Sequence, residues 1–203
     1  MYGKRAVPSL RTTGPVPKAG RVQDTADEAA LLHRIAGGDR HAFDTLYRGY
    51  FPRLTRFLER VIRRPHAVEE VLNDAMLVVW RKAGTFNGKS KVSTWIFSIA
   101  YRKALKAIKR FDDPVESDDQ AFESTMPGPE GHLMQRQRSA LLLEQIGRMS
   151  ADHRAVIELT YYHGCAYQEI AQIMGCPVDT VKTRMFHARR RLRQFLSDRQ
   201  EEL

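Results

Sequence analysis

One stretch of the chain, residues 167–193, constrains its fold more than any other, and it reads YQEIAQIMGCPVDTVKTRMFHARRRLR. Apolar residues from Ile170 to Met174 recur at the spacing of one helical face. Gly175 can adopt the left-handed conformation that ends a helix, and Pro177 prevents its simple continuation. A second helix is predicted to begin near Asp179 and to pack on the first. Its packing positions are Val181, Met185 and Ala188.

The second helix of this predicted helix-turn-helix carries a basic surface. The residues that face outward or flank the contact are Lys182, Thr183, Arg184, Phe186, His187, Arg189 and Arg190. In helix-turn-helix proteins the second helix enters the major groove, where such side chains contact bases and phosphates. The alternative is an ordinary helical hairpin with a solvated basic face. The position of the charges on the second helix favours DNA binding.

The composition of the whole chain agrees with an anionic partner. Its 203 residues are enough for one large or two small domains, and a formal charge of +9 favours binding to a polyanion. No apolar run approaches the ~20 residues that a membrane span needs, and the N-terminal segment lacks the apolar core of a secretory signal. We therefore expect a cytoplasmic protein.

The cysteine and histidine content gives little support to a metal site. Cys165 and Cys176 form no CxxC pair and fit no disulfide framework, which indicates a reducing compartment. A zinc site could combine them with His153 and His163, but these spacings match no familiar zinc finger. We expect no metal and no other cofactor, and no pattern of catalytic residues indicates an enzyme.

Helical patterns begin well before the helix-turn-helix. Residues 1–26 are basic and rich in proline and glycine, which predicts a disordered tail. A short apolar stripe then ends at residues 37–38, and Asp39 can cap a longer helix that closes at residues 63–65. Pro52 falls inside this longer helix and is predicted to kink or split it.

The next helical pattern, HAVEEVLNDAMLVVWRKAGTF, separates apolar residues from acidic and amide residues. An apolar stripe of this spacing is typical of core packing. The acidic cluster is typical of a solvated helix N-terminus, and a docking face for a partner is the alternative.

Residues 81–110 form a basic block with nine Lys or Arg and no acid, among which Trp95, Phe97 and Tyr101 are interspersed. Basic residues neutralise phosphates, and aromatic rings can hold unstacked bases, so this combination suits single-stranded or melting DNA. The alternative is a core tryptophan on a solvated basic helix.

Residues 112–135 contain seven acids and no Lys or Arg, which predicts a flexible acidic linker. After it, Ser150 is predicted to cap a helix that ends near Gly164 and leads into the helix-turn-helix. We therefore predict an all-α fold of two small helical domains joined by this linker. The predicted units are a domain at 27–111, a domain at 136–197 and a tail at 198–203.

The order of these pieces resembles the extracytoplasmic-function (ECF) group of bacterial sigma-70-type sigma factors, over roughly residues 27–197. DTLYRGYFPRLTRFL with VEEVLNDAMLVVWRK resembles sigma regions 2.1 and 2.2. FNGKSKVSTWIFSIAYRKALKAIKR resembles regions 2.3 and 2.4, and MSADHRAVIELTYYHGCAYQEIAQIMGCPVDTVKTRMFHARRRL resembles region 4. The resemblance implies an alternative sigma factor that directs core RNA polymerase to −35 and −10 promoter elements and assists DNA melting. The implied partners are the polymerase clamp helices and flap, promoter DNA and an anti-sigma factor, which could hold the protein at the inner membrane face.

The resemblance also implies roles for individual residues. Region 2.2 would dock on core polymerase through Glu70, Asn73, Asp74, Trp80 and Arg81, although the family more often has Asp, Gln and Glu at the first three positions. The −10 element would be bound and melted by Asn87, Gly88, Lys89, Ser90, Lys91, Trp95, Arg102, Lys103, Lys106, Lys109 and Arg110. The −35 element would be read by the outward residues of the second helix of the helix-turn-helix.

Two other classes of DNA-binding protein compete with this interpretation. A stand-alone activator or repressor with a LuxR-like C-terminal helix-turn-helix would carry a sensing or dimerising N-terminal domain, which has no need of the acid-free basic block at 81–110. A resolvase-like enzyme would need catalytic serine and arginine residues near the N-terminus, and no such arrangement is found.

Overall fold

The computed structural model describes residues 21–112 and 141–198, and every regular element within these two ranges is a helix, which confirms the all-α prediction. The α-helices are α1 (Arg21–Ala36), α2 (Arg40–Ile62), α3 (Pro65–Lys82), α4 (Val92–Asp112), α5 (141–147), α6 (Ala151–Tyr161), α7 (Tyr167–Met174) and α8 (Val178–Asp198), with a 3-10 turn at Ala83–Thr85 after α3. Helix α1 begins inside the segment predicted as a tail. The predicted linker beyond residue 112 and the tails at 1–20 and 199–203 lie outside the described residues.

The ends of α2 follow from local chemistry. Asp39 Oδ1 accepts a 3.0 Å hydrogen bond from the backbone N–H of Ala42, which confirms Asp39 as the N-terminal cap. At the other end Arg63 adopts a left-handed conformation with φ 59°, and Pro65 then opens α3. The chain therefore reverses between α2 and α3 within two residues.

Helix α2 runs through Pro52 without interruption, so the split that the sequence predicts as one possible outcome does not occur. Proline at this position removes one backbone hydrogen bond, but Pro52 is exposed and water can satisfy the carbonyl group that loses its partner. The opposite face of the same helix is fully buried at Tyr50 and Leu54. Packing of that face favours a helix that continues through the proline.

The helix-turn-helix forms where the sequence predicts it. Gly175 ends α7 with φ 65°, and its N–H donates to the carbonyl of Ala171. Helix α8 begins at Val178, one residue before the predicted start. Ser150 caps α6 by accepting a hydrogen bond from the N–H of His153, as predicted.

The N-terminal helices enclose a core formed mainly by α2, α3 and α4. The rings of Phe57 and Phe97 meet edge to face with centroids 5.2 Å apart, and both are buried. The largest other side chains buried in this part are Leu32, Ile35, Tyr50, Leu54, Leu58, Leu72, Met76 and Ile96.

The C-terminal helices join this core. Helix α6 packs on α2, and α7 packs on α4. The residues of α6, α7 and α8 that belong to the same continuous cluster of buried side chains are Ala155, Val156, Leu159, Ile170, Ala171, Ile173, Val181 and Met185. The two sets of helices therefore lie against each other over an extended contact.

Candidate nucleic-acid and partner interfaces

The acidic face of α3 lies beside the basic face of α4. Glu70 pairs with Arg110 at 3.2 Å, and Asp74 pairs with Lys103 at 3.0 Å. The Arg110 and Glu70 side chains are 59% and 57% exposed, so this pair contributes at most roughly 1 kcal/mol. Residues that the sequence assigns to polymerase and to DNA therefore lie on one surface, in ion pairs weak enough to exchange for external partners.

The aromatic side chains of α2 extend this surface. The hydroxyl of Tyr47 donates a 2.9 Å hydrogen bond to Asn73, and the ring of Phe43 meets that of Trp80 edge to face at 5.2 Å. Burial raises the pKa of Tyr47, with a smaller contribution from Glu69, so the phenol stays protonated as a donor.

Two exposed apolar side chains border the same surface. Phe51 is 42% exposed and lies 5.7 Å from the Tyr47 ring, while Leu77 on α3 is 43% exposed. Sequence reasoning assigned neither residue to a partner surface. The available signal was their position in amphipathic helices, since each interrupts the polar face of its helix. Arg81 is exposed at the end of α3.

The loop at 86–91 has a turn held by its own polar groups. Asn87 Oδ1 accepts a 3.1 Å hydrogen bond from the N–H of Lys89, and Gly88 between them has φ 71°. The hydroxyl of Ser90 donates to the carbonyl of Lys91 at 3.3 Å. The turn therefore brings the polar side chains of Asn87 and Ser90 and the backbone groups of Lys89 and Lys91 close together.

Of the aromatic residues Trp95, Phe97 and Tyr101 of the basic block, only Trp95 has a ring that is accessible to a ligand. Trp95 is half-buried and packs against Phe86 with ring centroids 5.6 Å apart. Phe97 and Tyr101 are buried in the core. The core interpretation therefore applies to those two rings.

The cations of α4 differ in how they are held. Arg102 donates a 3.0 Å hydrogen bond to Ser98 Oγ, and Lys103 and Arg110 bind the α3 carboxylates. Lys106 and Lys109 are exposed. The outer face of α4 therefore presents an array of positive charge without any acid from α4 itself up to Arg110.

Helix α8 buries its packing positions and exposes its polar face. Val181, Met185 and Ala188 are at most 1% exposed, whereas Phe186 is 60% exposed and lies 5.5 Å from the His187 ring. The residues that are exposed along α8 among those predicted to bind DNA are Lys182, Thr183, Phe186, His187, Arg189 and Arg190. Lys182 forms a 2.9 Å ion pair with Asp179 one turn earlier, and Arg189 donates to the hydroxyl of Tyr161 at 3.0 Å.

Arg184 is held differently from the other cations of α8. Its guanidinium pairs with Asp152 of α6 and also lies 3.6 Å from the sulfur of Cys176. It is half-buried. To contact a DNA base, the guanidinium of Arg184 must therefore either separate from Asp152 or use the N–H groups that Asp152 leaves available.

No group of three or more His, Cys, Asp or Glu side chains within residues 21–112 and 141–198 is arranged to hold a metal ion. His163, one of the residues considered for zinc, is instead buried against Phe57 and Phe97. Among the helices of the same two ranges, none combines the length and the apolar character that crossing a bilayer requires.

Comparison with known proteins identifies both halves of this arrangement. Residues 46–113 match the family "Sigma-70 region 2", and residues 132–192 match "Sigma-70, region 4". The chain is 30% identical over 176 residues to the ECF RNA polymerase sigma factor RpoE of Cereibacter sphaeroides, covering 86% of this chain and 97% of that protein. The chain belongs to the ECF RNA polymerase sigma factors. The sigma-H factor of Pseudomonas aeruginosa is 29% identical, with 78% of this chain and 88% of that protein covered.

Two solved structures share the fold. CnrH, in complex with the cytosolic domain of CnrY, matches 85% of this chain with a TM-score of 0.63 and 22% identity, and covers 98% of that chain. RpoE of Bartonella quintana, in complex with the anti-sigma factor NepR, matches 76% of this chain and 96% of that chain with a TM-score of 0.61 and 24% identity.

Membership of the family assigns a role to the two sets of helices. Region 2 contains most of α2 with α3 and α4, and region 4 contains α5 to α7 and most of α8, including the helix-turn-helix. A sigma factor binds core RNA polymerase and promoter DNA and is a transcription initiation factor rather than an enzyme.

Proposed function

We propose that this sigma factor selects promoters through two separate DNA contacts, with α8 at the −35 element and the surface of α4 and its preceding loop at the −10 element. The observation that carries the proposal is the exposed face of α8, which lies opposite the buried positions that pack this helix on α6 and α7. This is the arrangement that a helix needs to enter the major groove.

In region 4 the exposed residues divide by chemistry. Lys182, Arg189 and Arg190 supply charge to phosphates, which positions the helix without reading sequence. Thr183 and His187 can hydrogen-bond to base edges, and Phe186 can contact a thymine methyl group. Arg184 is the residue suited to a bidentate contact with guanine once it is released from Asp152.

In region 2 the residues of the loop and of α4 also divide into those that hold bases and those that bind phosphates. The polar turn at Asn87, Gly88 and Ser90 and the half-buried ring of Trp95 provide a place for an unstacked base of the −10 element. Lys106 and Lys109, with Arg102, bind phosphates of the adjoining strand. Lys89 and Lys91 add charge at the entrance to the loop.

Core polymerase binds the surface shared by α2 and α3. Glu70, Asn73 and Asp74 provide its acidic and amide groups, with Trp80 and Arg81 at the end of α3. Tyr47 supports Asn73, and the exposed Phe51 and Leu77 supply apolar contact area. Polar pairs around exposed apolar groups are typical of protein interfaces that form and separate.

An anti-sigma factor controls the chain. The support is that two solved sigma factors of the same fold are described as complexes, one with the cytosolic domain of CnrY and one with the anti-sigma factor NepR. Such a regulator could also hold the chain at the inner membrane face. Two experiments test this control. The tagged chain should co-purify with the product of a neighbouring gene, and addition of that product should abolish transcription by the chain with core polymerase.

Run-off transcription over a promoter library tests the proposed function. With core polymerase, we expect transcripts only from templates that carry a particular pair of −35 and −10 sequences. A stand-alone activator or repressor would bind its operator without core polymerase and would give no initiation with core alone, which would contradict the proposal.

A further inference from the structure

Helix α6 ends in an aromatic side chain that is exposed beside α8. Tyr161 is the last residue of α6 and is 58% exposed, whereas Val156, Ile157 and Leu159 of the same helix are buried. Its hydroxyl accepts a 3.0 Å hydrogen bond from Nε of Arg189 on α8. Both residues belong to region 4, so this contact does not depend on how region 4 lies against region 2.

The guanidinium of Arg189 meets the hydroxyl of Tyr161 rather than the face of its ring. The Cζ atom of Arg189 lies 5.8 Å from the ring centroid, near the outer limit of a cation–π contact, whereas Arg56 lies 3.7 Å over the neighbouring Tyr162 ring. A hydrogen bond from Nε restricts the orientation of the guanidinium and leaves the N–H groups of both Nη atoms for other acceptors. The pair therefore orients Arg189 while most of its donors remain available.

The partner that orients Arg189 carries no charge. Two other cations of α8 are held by carboxylates, Lys182 by Asp179 and Arg184 by Asp152, and each carboxylate offsets the charge of its partner. Within the part of the chain that the structure describes, Arg189 pairs with no carboxylate, and its hydrogen-bond partner is an uncharged phenol. Arg189 therefore keeps its full positive charge in a restricted orientation.

Arg189 lies on the face of α8 that the proposed function places in the major groove. Lys182, Phe186 and Arg189 are spaced by four and by three residues, which puts them on one side of a helix. All three are exposed, and residues 180–197 contain no acid. Tyr161 lies beside this face on a different helix, so it extends the face beyond α8 itself.

The chemistry of the pair suits a phosphodiester group. The two Nη atoms of an arginine can donate in parallel to two oxygens of one phosphate. The oxygen of Tyr161 accepts from Nε, but its hydroxyl proton is free to be donated to the same phosphate. Because the guanidinium is already oriented, binding requires less ordering of a long side chain.

We propose that Tyr161 is a DNA-backbone contact of region 4 and that it forms, together with Arg189, a clamp for one phosphate at the edge of the −35 element. Arg189 supplies the charge, while Tyr161 orients the guanidinium and donates its own proton. The clamp strengthens binding and positions α8 in the groove without reading sequence. This inference rests on the proposed function, because the clamp meets DNA only if α8 binds the −35 element.

Promoter binding by the complex with core polymerase tests the clamp. Tyr161→Phe removes the hydroxyl and keeps the ring, and it should weaken binding about five- to tenfold, by the same factor for every −35 sequence. Arg189→Gln should weaken binding by a similar or larger factor and lower the slope of log affinity against log salt by about one. Unchanged binding by Tyr161→Phe, or a loss confined to some −35 sequences, would overturn the proposal.

Tyr162→Phe is the matched control. Tyr162 is adjacent to Tyr161 and 53% exposed, but its ring lies against Arg56 of α2. The same hydroxyl group is removed, so this variant should bind promoters as the unmodified chain does. An equal loss in Tyr161→Phe and Tyr162→Phe would contradict a specific role for Tyr161.

A double variant tests whether the two residues act as a unit. In a chain that carries Arg189→Gln, the further change Tyr161→Phe should weaken binding by less than about twofold, because the hydroxyl no longer has a guanidinium to orient. If the two losses simply multiply, the residues act separately and the clamp is rejected.

Promoter duplexes in which one phosphate at a time is replaced by an uncharged methylphosphonate test the ligand. At one linkage beside the −35 element, the replacement should weaken binding of the unmodified chain by about the same factor as Arg189→Gln does. At that linkage it should add little to the loss in Tyr161→Phe or Arg189→Gln. The absence of such a linkage on either strand would overturn the proposal.

Urea unfolding of the same variants separates a DNA contact from support of the fold. Tyr161→Phe should unfold at nearly the same urea concentration as the unmodified chain, because its hydrogen bond is exposed to water. A loss of promoter binding accompanied by a clear loss of stability would instead assign Tyr161 to the packing of α6 on α8 and reject the clamp.

Lys182→Gln distinguishes failure of this inference from failure of the proposed function. If Lys182→Gln and Arg189→Gln weaken promoter binding but Tyr161→Phe does not, the clamp alone is rejected. If neither of these two α8 variants changes promoter binding, the placement of α8 at the −35 element is rejected, and the clamp with it.

Discussion

The hydroxyl of Tyr101 donates a 2.5 Å hydrogen bond to Oδ1 of Asp152, across the contact between region 2 and region 4. Tyr101 is buried in the core of region 2, and burial together with Asp152 raises the pKa of the phenol, so it remains a donor. Since Asp152 also pairs with Arg184, one carboxylate links the core of region 2 to helix α8.

Replacing Tyr101 with phenylalanine removes only this link. The Tyr101→Phe variant should lower the free energy of unfolding by about 1–2 kcal/mol, because a hydrogen bond to a charged acceptor is lost while the ring stays packed. Urea unfolding followed by circular dichroism measures the change. Tyr161→Phe is the matched control, since Tyr161 is exposed and bonds within region 4 to Arg189; an equal loss in both variants would contradict the assigned role.

Replacing Arg184 with alanine tests whether this residue reads sequence. If Arg184 contacts a base pair, Arg184→Ala should weaken promoter binding by the polymerase complex by ~1–3 kcal/mol and relax the preference at one −35 position. Binding to a series of −35 substitutions measures both effects. Arg193→Ala, at an exposed position further along α8, is the control. A loss of the same size on every promoter would assign Arg184 to a phosphate instead.

Charge reversal at Glu70 tests the polymerase surface. Glu70→Lys replaces an exposed carboxylate by a cation beside Arg110, so the surface loses an acid and gains a repulsion. Association with core polymerase should weaken, as measured by retention of the variant on immobilised core. Glu59→Lys makes the same charge change at an exposed position of α2 outside the proposed surface, and should bind as the unmodified chain does. Equal retention of both variants would remove Glu70 from the interface.

The burial of His163 predicts a dependence of stability on pH. Burial, followed by the nearby Arg53 and Arg56, lowers the pKa of His163 to about 4, below its usual 6.5, while Glu158 lies 4.0 Å away. The imidazole is exposed in the unfolded chain and buried in the folded one, so the unfolded chain binds a proton more tightly. The contribution of the neutral His163 to stability is therefore fully present above pH 6.5. That contribution should fall as the pH drops toward 4, by up to roughly 1.4 kcal/mol per pH unit.

Urea unfolding at pH 7, 6 and 5 measures this dependence. Burial raises the pKa of Glu158, so protonation of this carboxyl on acidification favours the folded chain, opposite to the effect of His163. The unmodified chain must therefore be compared with a variant that lacks only the histidine. His163→Gln is that variant, and its stability should change less on acidification. The same slope in both proteins would show that His163 does not titrate in the expected range.

The helix ends could be predicted from the sequence because they depend on neighbouring residues. Asp39 and Ser150 cap helices by accepting from N–H groups three residues away, and Gly175 supplies the one left-handed residue that the turn of the helix-turn-helix needs. The continuous course of α2 through Pro52 could not be predicted in the same way. The helix continues because Pro52 lies on its exposed face. Which face is exposed depends on the helices that pack against α2, and these lie far away in the sequence.

The contacts of the candidate sites depend on residues far apart in the chain. Glu70 and Arg110 are 40 residues apart, and Arg56 and Glu158 are 102 residues apart. Spacing rules identify an acid-free basic block at 81–110 but cannot show that α3 supplies the acids beside it. Likewise, the sequence predicts two domains and a linker, but nothing in its periodicity indicates that His163 packs against both Phe57 and Phe97.

The most direct measurement of the central claim compares promoter affinity with and without core polymerase at physiological salt. Two DNA contacts on one tethered chain combine their free energies only when polymerase fixes the distance between them. We therefore expect the chain alone to bind a cognate promoter duplex weakly and the complex with core to bind it tightly and selectively. Nanomolar, sequence-specific binding by the chain alone would contradict this account.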